Sequence, residues 1–367
     1  MSPELKAAAA FCLAALVTYL VTPLCIRLAE LTGFYDLPKG YKGHKRPTPY
    51  LGGTAIFLGI VVAVVAIANG VQDHPLIIVC AVGIWVMGTI DDRFNLPISL
   101  RTFAEVGIAV ALWATGRGWD IFGYGPADLA LTVVWVVGVM NAFNLMDNMD
   151  GAASSTAAVS AIGAGVLALM SGDGTLAVLA FGVAGACVAF LPRNLASRIF
   201  MGDGGSLVLG LLIARMTMAA VTQRYLGPSG VVVAALLVGL VIFDTTLVVI
   251  SRSRAGVSVL TGGRDHLSHR LAGRLGAPRN VALALAGAQL VLCAITISVA
   301  QAGLGWVLLA GGLALVAGGF MIWQFERSVW FQRAVAVAAS PSSEQADELR
   351  VAEASLGTAV PTGVPLR

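Results

Sequence analysis

The sequence is poor in charged residues. Aspartate, glutamate, lysine and arginine make up only 12% of its 367 residues, whereas 57% are hydrophobic and the mean hydropathy is +0.85. Soluble domains carry about 25% charged residues. The shortage of charge therefore excludes an ordinary soluble domain, and the long apolar runs predict an all-α polytopic integral membrane protein.

Cysteine is scarce as well. The five cysteines lie in apolar runs and no two form a CxxC pair: Cys12, Cys25, Cys80, Cys187 and Cys293. This pattern excludes a disulfide framework and a cysteine metal site. No convincing cleavage site follows the first apolar run, from Ala7 to Ile26, which is also too long for a signal peptide. We therefore expect a retained first helix.

Apolar runs about 20 residues long predict about eleven transmembrane helices, or about ten if a short run does not cross the bilayer. They cover residues 6–28, 51–70, 75–91, 102–116, 128–146, 152–170, 174–191, 204–221, 230–250, 281–300 and 303–323. We expect residues 1–325 to form one multi-span domain. Residues 326–367 end in a segment rich in Ser, Pro, Glu and Ala, and they are expected to form a disordered cytoplasmic tail.

Lysine and arginine are concentrated in alternate loops. Only Lys6, Arg117 and Arg224 fall on one predicted side, and Arg215 lies within a predicted helix. Most of the others lie in loops 31–50, 91–101, 192–203 and 251–279 or in the tail. By the positive-inside rule, these loops face the cytoplasm and the N-terminus lies outside.

A polar segment, Asn-Ala-Phe-Asn-Leu-Met-Asp-Asn-Met-Asp-Gly, interrupts the apolar pattern at residues 141–151. An unpaired carboxylate at a membrane boundary costs several kcal/mol, so the two carboxylates here indicate a bound ligand or ion. A continuing helix would direct four side chains to one site: Asn141, Asn144, Asp147 and, near the edge, Asp150. The alternative is a polar helix end followed by a short loop with a glycine stop at Gly151.

Two charged clusters precede this segment. Residues 42–53 carry Lys42, His44, Lys45 and Arg46 before a Pro-x-Pro turn and a pair of glycines. Cations and free helix N–H groups suit a phosphate, although a basic patch on anionic lipid headgroups is the alternative. The second cluster is the pair Asp91-Asp92, since adjacent carboxylates are retained mainly where a cation neutralises them. Its alternative is a solvated helix end.

Two further clusters follow the polar segment. Asp203 and Ser206 lie at a glycine-rich helix start, where backbone N–H groups can cradle a diphosphate and a carboxylate can hold Mg²⁺. Plain N-capping is the alternative. His266 and His269 share a helical face, and with Arg264 they indicate a phosphate cluster. Zinc is a weaker interpretation, because no HExxH motif or nearby cysteine is present.

These motifs, in this order, resemble those of the polyprenyl-phosphate N-acetylhexosamine-1-phosphate transferases, the MraY/WecA-like membrane enzymes. The matching residues are His44 with Pro49-x-x-Gly52-Gly53, Asp91-Asp92, Asn141-x-x-Asn144-x-x-Asp147-x-x-Asp150-Gly151 and Phe200-Met-Gly-Asp203-x-Gly-Ser206, and the histidine loop comes last. The resemblance spans roughly residues 20–325. It is closer to the WecA-like branch, which uses UDP-N-acetylglucosamine, than to the MraY branch, which uses UDP-MurNAc-pentapeptide.

The resemblance implies a Mg²⁺-dependent phosphotransferase, for which Mn²⁺ can substitute. It would transfer a HexNAc-1-phosphate, with GlcNAc-1-phosphate favoured, from a UDP-sugar to a membrane polyprenyl phosphate. UMP would be released and the lipid-linked sugar would serve cell-envelope polysaccharide synthesis. The implied location is the bacterial inner membrane, and a homodimer is an open expectation. A nucleic-acid partner is not expected.

The resemblance also implies roles for individual residues. The implied catalytic residues are Asp91, Asp92, Asp203, His266 and His269. The implied substrate-binding residues are His44, Asn141, Asn144, Asp147, Asp150 and Arg264. The implied metal ligands are Asp203 and Asp147.

One residue departs from the family pattern. The branch usually reads His-x-His-His in the last loop, and here the loop reads His266-Leu-Ser268-His269. A serine can form hydrogen bonds but cannot carry charge, which leaves the identity of the sugar open. A histidine at position 268 is expected to be tolerated.

The sequence leaves two alternatives open. One is an MraY-type phospho-MurNAc-pentapeptide transferase. The other is a secondary transporter, which would also carry intramembrane carboxylates and glycine-broken helices. A transporter should show internal repeats and polar residues at mid-membrane, whereas this sequence shows no evident repeat and gathers its polar residues at one face.

Overall fold

The computed structural model describes residues 1–37, 47–67, 75–222, 228–260 and 262–338. His44, a predicted substrate-binding residue, lies outside these ranges. The helices are α1 (Pro3–Thr32), α2 (Gly52–Ile67), α3 (Pro75–Phe94), α4 (Ile98–Ala114), α5 (Gly125–Met146), α6 (Ala152–Met170), α7 (Gly174–Asn194), α8 (Asp203–Thr222), α9 (Pro228–Leu237), α10 (Gly239–Ala255), α11 (Leu267–Leu275), α12 (Pro278–Ala302) and α13 (Leu304–Ala338). Two short strands, β1 (Tyr35–Asp36) and β2 (Thr48–Pro49), pair in antiparallel fashion.

Each predicted span coincides with a helix or, in one case, with two. Among the described residues, 8 helices are long and apolar enough to cross a membrane, or up to 9 if the bent pair α9 and α10 is one span. Helix α2 is apolar but has only 16 residues, and α4 has 17. The prediction of an all-α polytopic membrane protein is confirmed. The count of about eleven spans and the orientation stay predictions.

The predicted continuous helix at 230–250 is broken. Helices α9 and α10 meet at Val238 with a bend of 84°. The side chain of Gln289, on α12, donates to the Leu237 carbonyl at 2.7 Å and accepts from the Leu240 N–H at 3.1 Å. A backbone break inside a membrane protein needs such partners, because no water is available to satisfy the freed groups. The sequence contains neither proline nor paired glycines at this point, so the break could not be predicted from it.

Helix α1 packs against α2 and α7 through small residues. Ala7, Ala10 and Ala14 are fully or almost fully buried along one stripe. A Cβ atom added at Gly185 of α7 would lie 2.1 Å from the Phe11 carbonyl oxygen, and one added at Gly59 of α2 would lie 2.1 Å from Thr18 Oγ1. Small residues of this kind let membrane helices approach closely and gain van der Waals contact.

Helix α8 lies in the core, packed against α2, α3, α5 and α6. Its first turn is approached by two other helices through glycine. A Cβ atom on Gly53 of α2 would lie 2.3 Å from Gly205 Cα, and one on Gly88 of α3 would lie 2.6 Å from the Gly204 nitrogen. No side chain fits at these crossings. They bring the ends of α2 and α3 to the start of α8, where the predicted site residues are concentrated.

The chain divides into two compact units, Met1–Leu315 and Val316–Arg367. The first contains the predicted site. In the second, the described residues continue α13 to Ala338, so the helix extends past residue 325, and Phe320 and Trp323 pack with ring centroids 5.7 Å apart. The five cysteines are free thiols, and all but Cys12, which is exposed, are buried.

Candidate active site

Two loops that the sequence placed in separate motifs are joined by backbone hydrogen bonds. The N–H groups of Gly52 and Gly53 donate to the carbonyls of Phe200 and Met201, at 3.0 and 2.9 Å. The Phe200 N–H donates in turn to the Pro49 carbonyl at 2.9 Å. The Pro-x-x-Gly-Gly motif and the Phe-Met-Gly-Asp motif therefore form one structure at the start of α8. Gly202 has φ +73°, a left-handed conformation that glycine adopts without strain.

The centre of the site is a cluster of four polar side chains. Arg101 of α4 places Nη1 2.7 Å from Asp91 Oδ2 and 2.9 Å from Asp203 Oδ2. Its Nη2 donates to Asn144 Oδ1 at 3.2 Å. Asn144 Nδ2 donates to Asp203 Oδ1 at 2.8 Å and to Ser206 Oγ at 3.0 Å. Residues from α3, α4, α5 and α8 thus converge, which brings together three of the predicted site residues.

Asp92 has a different environment from its neighbour Asp91. Its carboxylate accepts hydrogen bonds from the backbone N–H groups of Asp203, at 2.8 Å, and Gly204, at 3.3 Å. These are among the first N–H groups of α8, which have no partner within the helix. Asp92 therefore caps α8 from outside and complements its dipole. The sequence suggested Asp203 or Ser206 as the N-cap of this helix, but Asp92 caps it instead.

The polar segment 141–151 does not continue as a helix. Helix α5 ends at Met146, and Asp147 is its C-cap residue. Asn141 donates to Glu105 Oε2 at 2.6 Å and to the Val137 carbonyl, whereas Asn144 bonds Asp203. The expectation that one helical face directs all four side chains to one site is wrong, because α5 stops one turn too early. The structure instead has a polar helix end and a short loop, as the alternative expected, but Gly151 is the N-cap residue of α6 and does not end α5.

The loop after α5 holds its two carboxylates by local contacts. The Gly202 N–H donates to Asp147, and the Ser197 hydroxyl bonds Asp150 Oδ2. Burial raises the pKa of Asp147 well above its usual value, and the negative charges of Asp203, Asp150 and Asp92 raise it further. The negative charges of three other carboxylates therefore act on Asp147.

The histidine loop is anchored by a residue that the sequence reasoning missed. Asp244, on α10 and almost fully buried, has Oδ2 2.9 Å from His266 Nδ1, and its Oδ1 accepts from the Leu267 N–H at 2.6 Å. The carboxylate thus orients the imidazole and holds the first turn of α11. His266 and His269 lie close together, with ring centroids 6.4 Å apart, but His266 is the extended N-cap residue of α11 and lies outside the helix that was expected to carry both.

Two ionisable residues of the histidine loop, Asp265 and His269, have pKa values below their usual ones. Arg252 forms a two-pronged bond to Asp265, at 2.7 and 2.9 Å. Burial raises the pKa of Asp265, but the hydrogen bonds and charge of Arg252 outweigh it and leave the pKa below its usual value. Arg264 is exposed. Burial lowers the pKa of His269, and the charges of Arg264 and His266 lower it further.

The histidine loop contacts the polar segment directly. The Ser268 hydroxyl bonds Asn148 Oδ1, across 120 positions of sequence. Ser268 has an exposed fraction of 0%. The two predicted groups of residues, one rich in carboxylates and one in imidazoles, therefore belong to a single site.

Three residues were missed by sequence reasoning: Arg101, Glu105 and Asp244. A signal was available for Asp244, because it interrupts the apolar run of residues 230–250 and an ionisable residue inside a membrane span is functional by default. The same signal was available for Glu105, which lies inside the predicted span 102–116, whereas Arg101 is only one of the positive loop residues. Nothing in their local sequence indicates the partners they meet.

The family model described as "Glycosyl transferase family 4" matches residues 74–221. A probable undecaprenyl-phosphate N-acetylglucosaminyl 1-phosphate transferase of Bacillus subtilis is 30% identical over 275 residues, which cover 71% of this chain and 76% of the relative. A decaprenyl-phosphate N-acetylglucosaminephosphotransferase of Mycobacterium tuberculosis is 31% identical over 299 residues, covering 70% and 74%. An undecaprenyl-phosphate alpha-N-acetylglucosaminyl 1-phosphate transferase of Escherichia coli K12 is 25% identical over 259 residues, covering 66% and 70%.

Proposed function

Because the chain belongs to glycosyl transferase family 4, we propose that it transfers GlcNAc-1-phosphate from UDP-GlcNAc to a membrane polyprenyl phosphate. The products are UMP and a polyprenyl-diphosphate-linked GlcNAc. The observation that carries the proposal is the cluster of Asp91, Arg101, Asn144 and Asp203 at the start of α8. It combines a fixed cation with carboxylate and amide oxygens at the end of a membrane helix.

The reaction requires positioning and charge compensation more than covalent chemistry. A phosphate oxygen of the lipid bonds the sugar-proximal phosphorus, and the bond from that phosphorus to the UMP phosphate oxygen breaks. Both reactants are anions, so fixed positive charge at their meeting point lowers the barrier. A phosphate monoester has a second pKa near 6, so the lipid phosphate is mainly dianionic at pH 7 and needs little help from a base.

We propose that Asp203 and Asp147 hold Mg²⁺, for which Mn²⁺ can substitute. Carboxylate oxygens are the ligands that Mg²⁺ prefers, and it is usually held by one or two carboxylates together with substrate phosphates. The described residues contain no group of three or more His, Cys, Asp or Glu side chains that could hold a metal by themselves, which is compatible with such a shared site. Burial is the main cause of the raised pKa of Asp147, and a cation there would offset the negative charges of Asp203, Asp150 and Asp92 that raise it further. When bound, the ion neutralises the diphosphate of the sugar nucleotide.

The histidine loop supplies contacts to the nucleotide diphosphate in this proposal. The Asp244 carboxylate accepts a hydrogen bond from His266 Nδ1. The other ring nitrogen of His266, Nε2, would then contact a substrate phosphate. His269 and the exposed Arg264 lie beside it. Asp150, held by Ser197, would contact the nucleotide, and Asn141 supports the site from behind through Glu105.

We further infer that the protein is a multi-pass component of a bacterial inner membrane that serves cell-envelope polysaccharide synthesis. The relatives named above are bacterial, and their printed names give polyprenyl phosphates as acceptors. A homodimer stays a prediction.

The test is turnover by the purified protein in detergent micelles with undecaprenyl phosphate and radiolabelled UDP-GlcNAc. We expect the label to move into a butanol-soluble lipid in the presence of Mg²⁺, with UMP released in equal amount. UDP-GalNAc and UDP-MurNAc-pentapeptide are run in parallel to identify the preferred donor. Asp203→Asn should lose nearly all turnover, whereas Asp120→Asn, at an exposed position, should retain it. No lipid product from any of the three donors would contradict the proposal.

A further inference from the structure

The hydrogen bond between Asn148 and Ser268 has a defined direction. Asn148 Nδ2 donates to the Leu145 carbonyl at 2.6 Å, so its Oδ1 faces the serine as an acceptor. The Ser268 hydroxyl must therefore donate to that oxygen. Since Ser268 is fully buried, removal of the Asn148 amide leaves the serine hydroxyl without this partner in a place that water does not reach, whereas Asn148 itself is half-buried.

The two residues occupy equivalent positions in the two halves of the site. Asn148 lies between Asp147 and Asp150 in the loop after α5. Ser268 lies between His266 and His269 in the first turn of α11. A change in the length or angle of this bond would move the carboxylates and the imidazoles relative to each other.

We propose that Asn148 and Ser268 form a positioning pair, which fixes the spacing between the carboxylate half and the histidine half of the transferase site. The Ser268 hydroxyl is directed to Asn148, so it does not select the sugar. The serine at position 268, where relatives carry a histidine, therefore affects packing against Asn148 and does not affect the choice of sugar nucleotide. The inference rests on the proposed function for its kinetic consequences, but the bond itself can be tested separately.

A double-mutant cycle tests the pair, with wild type, Asn148→Ala, Ser268→Ala and the double variant purified in the same detergent. Each single variant should lower kcat about tenfold to a hundredfold, because small misplacements of reacting groups have effects of this size. The KM for UDP-GlcNAc should change by less than about twofold, since the pair does not touch the substrate. The double variant should be no slower than the slower single variant.

The sugar ratio provides a second readout. The rates with UDP-GlcNAc and UDP-GalNAc should fall by the same factor in Ser268→Ala, so their ratio stays at the wild-type value. Ser160→Ala is the matched control, since it removes an equally buried hydroxyl from α6, outside both segments. It should leave kcat unchanged.

Three results would overturn the inference. One is a double variant whose loss equals the product of the two single losses, since independent residues multiply. Another is a changed sugar ratio in Ser268→Ala, which would place the serine against the substrate. The third is a loss confined to KM.

A wild-type protein that turns over none of the donors would contradict the proposed function and with it the kinetic role. The melting temperatures of the same four proteins would then test the bond alone. Equal decreases in both single variants and in the double variant would support it. Additive decreases would show that the two residues are independent.

Discussion

Nη1 of Arg101 lies 2.9 Å from Oδ2 of Asp203, although 102 positions separate the two residues. The same nitrogen lies 2.7 Å from Asp91 Oδ2. One guanidinium on α4 therefore holds a carboxylate from α3 and another from α8. Without it, the two acids would repel each other in a partly buried site. Arg101 thus holds α3, α4 and α8 together at the site through its guanidinium.

The first prediction concerns this guanidinium. Arg101→Gln should lower turnover at least about a hundredfold, because it removes a cation from a site where two anions react. The turnover of Arg101→Lys should lie between those of wild type and Arg101→Gln. An ammonium keeps the charge but lacks the planar fork that reaches Asp91, Asp203 and Asn144 together. Turnover is measured at saturating Mg²⁺. Arg279→Gln, at an exposed position on α12, is the control. Near-normal turnover in Arg101→Gln would show that the guanidinium is only structural.

The second prediction separates Asp92 from Asp91. Because Asp92 caps the first turn of α8, Asp92→Ala should reduce stability by about 1–2 kcal/mol, seen as a lower melting temperature. Asp92→Asn keeps an acceptor oxygen and should recover part of that loss. Asp120→Ala, at an exposed loop position, should leave the melting temperature unchanged. If Asp92→Ala melts at the wild-type temperature but does not turn over, Asp92 acts on the substrate or the metal instead.

The third prediction concerns pH. Burial and the charges of Arg264 and His266 hold the pKa of His269 below its usual value. The unfolded chain, whose histidines titrate near pH 6.5, therefore binds this proton first as the pH falls. By linkage, His269 should reduce the stability of the folded chain progressively below about pH 6.5. The decrease in melting temperature from pH 7 to pH 5.5 should be smaller in His269→Gln. Identical decreases in both proteins would contradict this.

The fourth prediction reverses an expectation drawn from the sequence. A histidine at position 268 looked acceptable because relatives carry one there, but Ser268 is fully buried and bonded to Asn148. An imidazole is larger and would displace Asn148 or the start of α11. Ser268→His should therefore lower both melting temperature and kcat, and Asn148→Ala in the same chain should restore part of the loss. A fully active, stable Ser268→His protein would show that the segment repacks freely.

The sequence supported the overall architecture because apolar length and charge distribution are local properties. It also singled out Asn144, Asp147 and Asp203 as candidates, because polar residues at a membrane boundary stand out in any single sequence. The partners that each of these side chains contacts were harder to predict. Asn141 belongs to the same motif as Asn144, but it donates to Glu105 on α4, whereas Asn144 donates to Asp203 on α8. That outcome depends on how α4 packs against α5, which no residue in the motif determines.

The contacts of Arg101 could not be predicted from its local sequence either. Its neighbours in sequence are ordinary helix residues, and its role arises only when α3, α4 and α8 meet. The break at Val238 is similar, because the stabilising Gln289 lies on another helix. Residues that act through long-range contacts leave no periodic or compositional signal.

The contact between Gly53 and Gly205 limits which parts of the protein can move. The backbones of α2 and α8 meet there without intervening side chains, and an added Cβ atom on Gly53 would lie 2.3 Å from Gly205 Cα. Two helices in such contact cannot slide or rotate past each other without first separating. We therefore expect a polyprenyl phosphate to enter without a change in the spacing of α2 and α8. Spin labels on α2 and α8 should keep one distance distribution when lipid phosphate is added, while labels on α4 and α10 are free to change theirs.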